Sequence, residues 1–328
     1  MIQPTAWPLT WDEVLAARAR IAPHLPPTPL RSYAALDAEV GHGIRVLVKH
    51  DNHQPTNAFK ARNALSMMTA LDADQRTRGV VAATRGNHGA ALAWAGARLG
   101  VPVVICVPLG NNPEKNAAIR GHGAELVEAG QDYDDALAVM ERLAGERGLA
   151  IAHSTNNAQV IAGAATLSAE ICEQAHELDA IVVAIGGGSQ AVGALTATRA
   201  LRPDVRVYGV QAAGAAAIHD SWHARARLTT PRADTFADGL ATRATYDFTF
   251  DALRAGLTGF VAVPDAQIAD AIRVLLRTTH NLAEGAGAAG LAGLRALAPA
   301  LAGQTVAVVL SGANIDAETL RRVVTHEL

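Results

Sequence analysis

Three lysines, Lys49, Lys60 and Lys115, stand against 25 arginines in this chain. A habit of replacing surface lysine by arginine leaves lysine where a compact cation or an amine nucleophile is needed. Lys60 lies in Asn57-Ala58-Phe59-Lys60-Ala61-Arg62-Asn63-Ala64. Three segments of small residues follow: Thr84-Arg85-Gly86-Asn87-His88-Gly89, Gly186-Gly187-Gly188-Ser189 and Ser311-Gly312-Ala313-Asn314. The second comes after the apolar run Ile181–Ile185 and before a segment of helical period, so its backbone N–H groups can converge on an anion at a helix N-terminus. A nucleotide pyrophosphate would serve as well as a phosphomonoester there. The spacing is not Gly-x-Gly-x-x-Gly and no Gly-Lys-Ser/Thr occurs, which weakens the dinucleotide and Walker readings. An amine able to form a Schiff base, with loops able to hold a phosphate and an aromatic ring, suggests pyridoxal phosphate chemistry.

Short β-branched runs alternate with longer segments of helical period, the pattern of a parallel sheet covered on both faces. Strands are predicted over 45–49, 80–83, 103–107, 125–128, 181–185, 205–210 and 306–310, and helices over 88–99, 113–122 and 132–147. Each Gly-rich turn then falls at the end of a strand, where doubly wound sheets hold their ligands. Residues 75–153 read as a small inserted α/β domain, with 1–74 and 154–328 forming a larger one and the active site in the cleft between them.

The 328 residues carry a formal net charge of −3 with both signs interspersed, which offers no footprint for nucleic acid or an anionic membrane. No apolar run approaches a membrane span, and the first residues lack a basic stretch followed by an apolar core; a cytoplasmic location is the expectation. Two cysteines, Cys106 and Cys172, cannot build a disulfide framework or a zinc cluster. Cys106, inside Val103–Val107, reads as a small core residue.

Phe59-Lys60, Gly86-Asn87-His88, the glycine loop and Ser311-Gly312-Ala313-Asn314, in that order, resemble the fold type II pyridoxal phosphate enzymes. Within them the serine/threonine dehydratase and serine racemase branch is the nearest likeness. Pro27-Thr28-Pro29-Leu30, Asn116-Ala117-Ala118, Asp238-Gly239-Leu240-Ala241 and Glu284-Gly285-Ala286-Gly287-Ala288 extend it over nearly the whole chain. The resemblance implies a tryptophan synthase β-like α/β fold of two doubly wound, mostly parallel open-sheet domains with pyridoxal 5'-phosphate in the cleft, and a homodimer. It implies that Lys60 bears the cofactor and removes the Cα proton. Phe59, Asn87, Gly186, Gly187, Gly188, Ser189, Glu284 and Ser311 would complete the cofactor site. Thr84, Arg85, Asn87 and His88 would meet the substrate, with His88 read from its own residue type as equally suited to the core.

Three departures from the family pattern carry information. Arg85 stands where racemases have the serine that protonates the other face of Cα, and a guanidinium is no such acid or base. Gln211, Ala215 and Ala217 stand where the divalent-cation ligands are expected, so no metal site is expected. The chain ends after its last β–α unit, so neither a regulatory domain nor feedback by isoleucine is expected. The function these readings imply is β-elimination from a β-hydroxy L-amino acid such as L-threonine or L-serine, giving a 2-keto acid and ammonia. Arg85 keeps phenylserine and 3-hydroxyaspartate open as substrates. A β-replacement synthase, lacking its Ser/Thr-Ser-Gly-Asn-Thr loop here, and a racemase are less favoured; a carrier of the cofactor or a nicotinamide oxidoreductase are the readings of other kinds.

Overall fold

Val103-Val104-Ile105-Cys106-Val107 is buried at every position, as a strand must be when helices cover both faces of its sheet. The same composition recurs along the chain in a computed structural model that describes residues 7–131 and 133–328. The strands are β1 (Leu30–Ser32), β2 (Arg45–His50), β3 (Val80–Ala83), β4 (Val103–Val107), β5 (Glu125–Glu128), β6 (Ala150–Ile151), β7 (Ala180–Ala184), β8 (Arg206–Ala212), β9 (Gly259–Val263) and β10 (Thr305–Leu310). They form a six-stranded sheet in the order β1-β2-β10-β7-β8-β9 and a four-stranded sheet in the order β5-β4-β3-β6. β1 runs antiparallel to β2, and the other pairings are parallel.

The two-sheet, doubly wound architecture expected from the sequence is the one the chain adopts. The runs over 80–83, 103–107 and 125–128 have the predicted bounds, and the others differ by one or two residues at their ends. β1, β6 and β9 were not anticipated. β1 and β6 are only three and two residues long, too short to show an alternation, and β9 is interrupted by half-buried positions. The helix expected over 132–147 spans Tyr133–Arg147, with residue 132 outside the described residues. Pro113 opens the helix Pro113–Gly121, and the Asn112 side chain caps it by accepting the N–H groups of Glu114 and Lys115.

Between the sheets the helix Lys60–Thr69 packs against the helices Asn87–Leu99 and Ala158–Gln174. A charge network lies in that junction. The Arg62 guanidinium donates to Asp51 (Nε to Oδ2, 2.8 Å) and to Glu170 (Nη1 to Oε1, 2.5 Å), and the Lys49 ammonium donates to Glu170 Oε2 at 2.7 Å. Lys49 also donates to the Thr28 carbonyl, and Thr28 Oγ1 to Asp51. All of these residues are buried, and the formal charges of the two cations and two carboxylates cancel. The network fixes β2 and two helices around the turn that carries Lys60. Among the described residues no helix is long and apolar enough to cross a membrane.

Candidate active site

A cavity of about 710 Å³ opens between the two sheets at the carboxyl ends of β3, β7 and β10. Every site residue expected from the sequence lines it: Phe59, Lys60, Thr84, Arg85, Asn87, His88, the loop Gly186–Ser189, Glu284 and Ser311. Residues 57–60 and 311–313 are brought together by backbone pairing. Phe59 N–H donates to the Ser311 carbonyl at 2.8 Å, Ala313 N–H to the Asn57 carbonyl at 2.9 Å, and Ala58 bridges Gly312.

The Lys60 amine sits 4.7 Å above the Phe59 ring centroid. Burial alone pushes it from 10.5 down to about 8, because desolvation disfavours the charged form. A neutral amine at the end of a cleft is a nucleophile and a base.

The loop after β7 is a cradle that side chains would fill. A Cβ at Gly186 would strike the Gly239 carbonyl and one at Gly187 the Thr155 hydroxyl, while Gly188 has φ +99°. Gly188 is the N-cap of the helix Ser189–Leu201 and supplies no capping side chain, so the first-turn N–H groups face outward unpaired within the helix. Anions bind at such termini. A second terminus faces the cavity across the cleft: the helix Asn87–Leu99 is capped only by Gly86, whose N–H is taken by Thr84 Oγ1.

Asn87 Nδ2 donates to Glu284 Oε1 at 2.6 Å and its Oδ1 accepts from Asn314 at 2.7 Å, leaving one amide hydrogen. Burial raises the Glu284 carboxyl to about 7 against the pull of Lys115 and Asn87. Ser311 is 4% exposed, and its hydroxyl makes only a long contact, 3.4 Å, with the Ala286 carbonyl. The His88 ring turns to the Ala152 carbonyl at 2.8 Å, and burial, then the Lys60 charge, lowers it to about 3. What His88 can present to an anion is its main-chain N–H. Arg85 is exposed and, among the described residues, has no hydrogen bond or ion pair; its charge acts on Tyr133.

A profile of the family described as "Pyridoxal-phosphate dependent enzyme" matches residues 21–312. The chain belongs to that family. It is 38% identical over 287 residues to L-threonine ammonia-lyase of Geobacter sulfurreducens, covering 87% of this chain and 71% of that protein. It spans little more than half, 56%, of the biosynthetic L-threonine dehydratase of Burkholderia multivorans, at 36% identity over 85% of this chain. It is 32% identical to L-threo-3-hydroxyaspartate ammonia-lyase of a Pseudomonas species, covering 94% of this chain and 96% of that one. Among solved structures, maize serine racemase superposes with a TM-score of 0.92 at 30% identity over 98% of each chain.

Pyridoxal phosphate is therefore the cofactor of this family member, and the cavity fits it. The unfilled glycine cradle and helix terminus suit a phosphate, the Lys60 amine, without a hydrogen-bond partner among the described residues, suits a carbonyl, and the Ser311 hydroxyl and the spare Asn87 hydrogen suit a polar ring. The sequence reading missed several residues on the same walls. Lys115 reaches across the cleft to Asp238, and His153, Tyr133 and Tyr246 line the outer part. Lysine scarcity was the available signal for Lys115; the aromatic and histidine positions carry none without the fold.

Proposed function

We propose that this enzyme is an ammonia-lyase that eliminates water from a β-hydroxy L-amino acid, L-threonine or L-serine first, releasing a 2-keto acid and ammonia. The observation that carries the reading is a neutral, nearly buried hydroxyl, Ser311, on the wall of the cleft that holds the Lys60 amine. Bound there, pyridoxal phosphate supplies an electron sink for the bond broken at Cα. Lys60 would hold the cofactor and is the amine placed to take the Cα proton; a value near 8 suits a base working close to neutral pH. The loop Gly186–Ser189 holds the phosphate, Asn87 the ring oxygen, and Glu284 keeps Asn87 oriented. Thr84 and the first-turn N–H groups of Asn87 and His88 hold the substrate carboxylate. Phe59 walls the ring.

The Ser311 hydroxyl cannot keep a ring nitrogen protonated as a carboxylate would, which leaves electrons at Cα and favours prompt loss of a β-hydroxyl over transamination. The enamine set free hydrolyses in water to the keto acid and ammonia. Lys60→Ala should lose keto acid formation from threonine and serine, because nucleophile and base go with one amine. Retained turnover would overturn the assignment.

Arg85 favours a second reading. A guanidinium that lines the cleft and has no carboxylate partner among the described residues can take a second carboxylate, as in 3-hydroxyaspartate, or stack on an aryl ring, as in phenylserine. The relative that matches this chain over almost its whole length is named for L-threo-3-hydroxyaspartate. Arg85→Ala should then lower kcat/KM for that substrate far more than for serine. Equal losses return threonine and serine to first place. A homodimer in the cytoplasm, with domains at 1–74 plus 154–328 and at 75–153, completes the proposal; sedimentation and limited proteolysis test its assembly and boundaries.

A further inference from the structure

The glycine loop offers N–H groups to a phosphate, but glycine is the residue least able to keep them aimed. A trans peptide places its C=O and N–H on opposite sides, so whatever grips the carbonyl sets the direction of the N–H. Two hydroxyls grip the carbonyls here. Thr249 Oγ1, fully buried, donates to the Gly187 carbonyl at 2.8 Å. Thr242 Oγ1 donates to the Gly186 carbonyl at 3.4 Å.

Thr242 is itself held. Gln211 Nε2 donates to Thr242 Oγ1 at 3.1 Å, and Gln211 Oε1 accepts the His219 N–H at 3.0 Å. The His219 N–H can only donate, so it fixes which end of the buried Gln211 amide is oxygen and leaves the NH₂ to Thr242. With its lone pair so occupied, the Thr242 hydroxyl has its proton free for Gly186. The Gln211 side chain is 0% exposed and both ends of its amide are used in this relay. β8 is thereby wired to the loop after β7 through neutral groups alone.

We propose that Thr249 and the Gln211–Thr242 relay are positioning residues that aim the N–H groups of Gly188 and Gly187 at the cofactor phosphate. This rests on the placement of the phosphate at Gly186–Ser189. The residues touch the loop's carbonyls, so their effect should be specific to the phosphate and absent for the ring.

The full chain, titrated with pyridoxal phosphate and separately with pyridoxal, gives two dissociation constants from quenching of its tryptophan fluorescence. Thr249→Val and Gln211→Leu should each weaken pyridoxal phosphate binding about tenfold and pyridoxal binding less than twofold, since misaimed donors lose charge-assisted bonds to the phosphate only. Thr249→Ser should restore the wild-type ratio. Equal losses for both ligands, or no loss for either, would overturn the proposal. Should Thr249→Val fail to fold, Thr242→Val, at a half-buried position, carries the same expectation and the same refutation. Wild-type protein that binds the two ligands equally would overturn the phosphate placement itself, and the aiming role with it.

Discussion

Replacing Lys60 by methionine should stabilise the cofactor-free chain at neutral pH. Burial moves the amine from 10.5 to about 8, and among the described residues no anion offsets it. At about 1.36 kcal/mol per unit the folded state carries a cost of roughly 3.4 kcal/mol for a charged Lys60, an upper bound for a side chain that keeps some solvent contact. Loss of the contact with the Phe59 ring returns roughly 0.5–1 kcal/mol, so the expected net gain is about 2 kcal/mol. Its pH dependence has a definite sign. Below pH 8 both states hold the proton and the cost is complete. Between about 8 and 10.5 the unfolded chain binds a proton that the folded chain does not, so wild-type stability rises with pH relative to the variant. Above that window the two converge. Urea denaturation followed by tryptophan fluorescence from pH 6 to 10.5 measures the difference directly. A variant less stable at pH 7, or a difference that does not shrink toward pH 10, would refute the desolvated amine. That amine is what the proposed chemistry needs, since at pH 7.5 a value of about 8 leaves roughly a quarter of it neutral.

Arg62→Leu should cost about 3–5 kcal/mol in urea denaturation, because Asp51 and Glu170 are left as buried carboxylates with only Lys49 to balance them. A loss under 1 kcal/mol would show that water reaches the network. Glu284→Gln should come closest to wild type below about pH 4 and exceed it by about 2 kcal/mol at pH 8. The raised carboxyl, about 7 against 4.5, contributes fully only below the unfolded value of 4.5; between 4.5 and about 7 the folded chain keeps a proton that the unfolded chain has released, so wild-type stability falls with pH across that window and the loss is complete above it. A pH-independent difference would contradict a desolvated carboxyl.

The fold class was legible because β3, β4, β7 and β10 are short uninterrupted runs of small and β-branched apolar residues, and β2 and β8 carry the same valines among polar ones, a signal that comes from burial on both faces and does not need the tertiary structure to be read. The site was legible for a different reason. Lys60, the Gly186–Ser189 cradle and Ser311 each end a strand or open a helix, so their chemistry is tied to local geometry. Lysine scarcity proved informative beyond Lys60: Lys49 is fully buried in the charge network and Lys115 is paired across the cleft. What stayed hidden depends on long-range meetings. Nothing near Thr242, Thr249 or Gln211 announces that they converge on the carbonyls of Gly186 and Gly187, because hydroxyl and amide residues are common in loops and gain meaning only from what they touch. His88 illustrates the converse, a residue type suggestive of chemistry whose ring is spent on the Ala152 carbonyl.

β10 is the last strand in the chain, yet it lies between β2 and β7 in the middle of the larger sheet. Its neighbours are separated from it by well over a hundred residues of sequence on either pairing, so the sheet stays in two halves with open edges until residues 305–310 arrive. Ser311 follows at once and meets Phe59 through the main chain. The two halves of the larger sheet, and the cleft that Ser311 lines, are therefore joined only when β10 takes its place between them. Capture of pyridoxal phosphate in its final geometry must wait for that insertion, and the interval before it is when the unpaired edges of β2 and β7 are open to pairing with other chains.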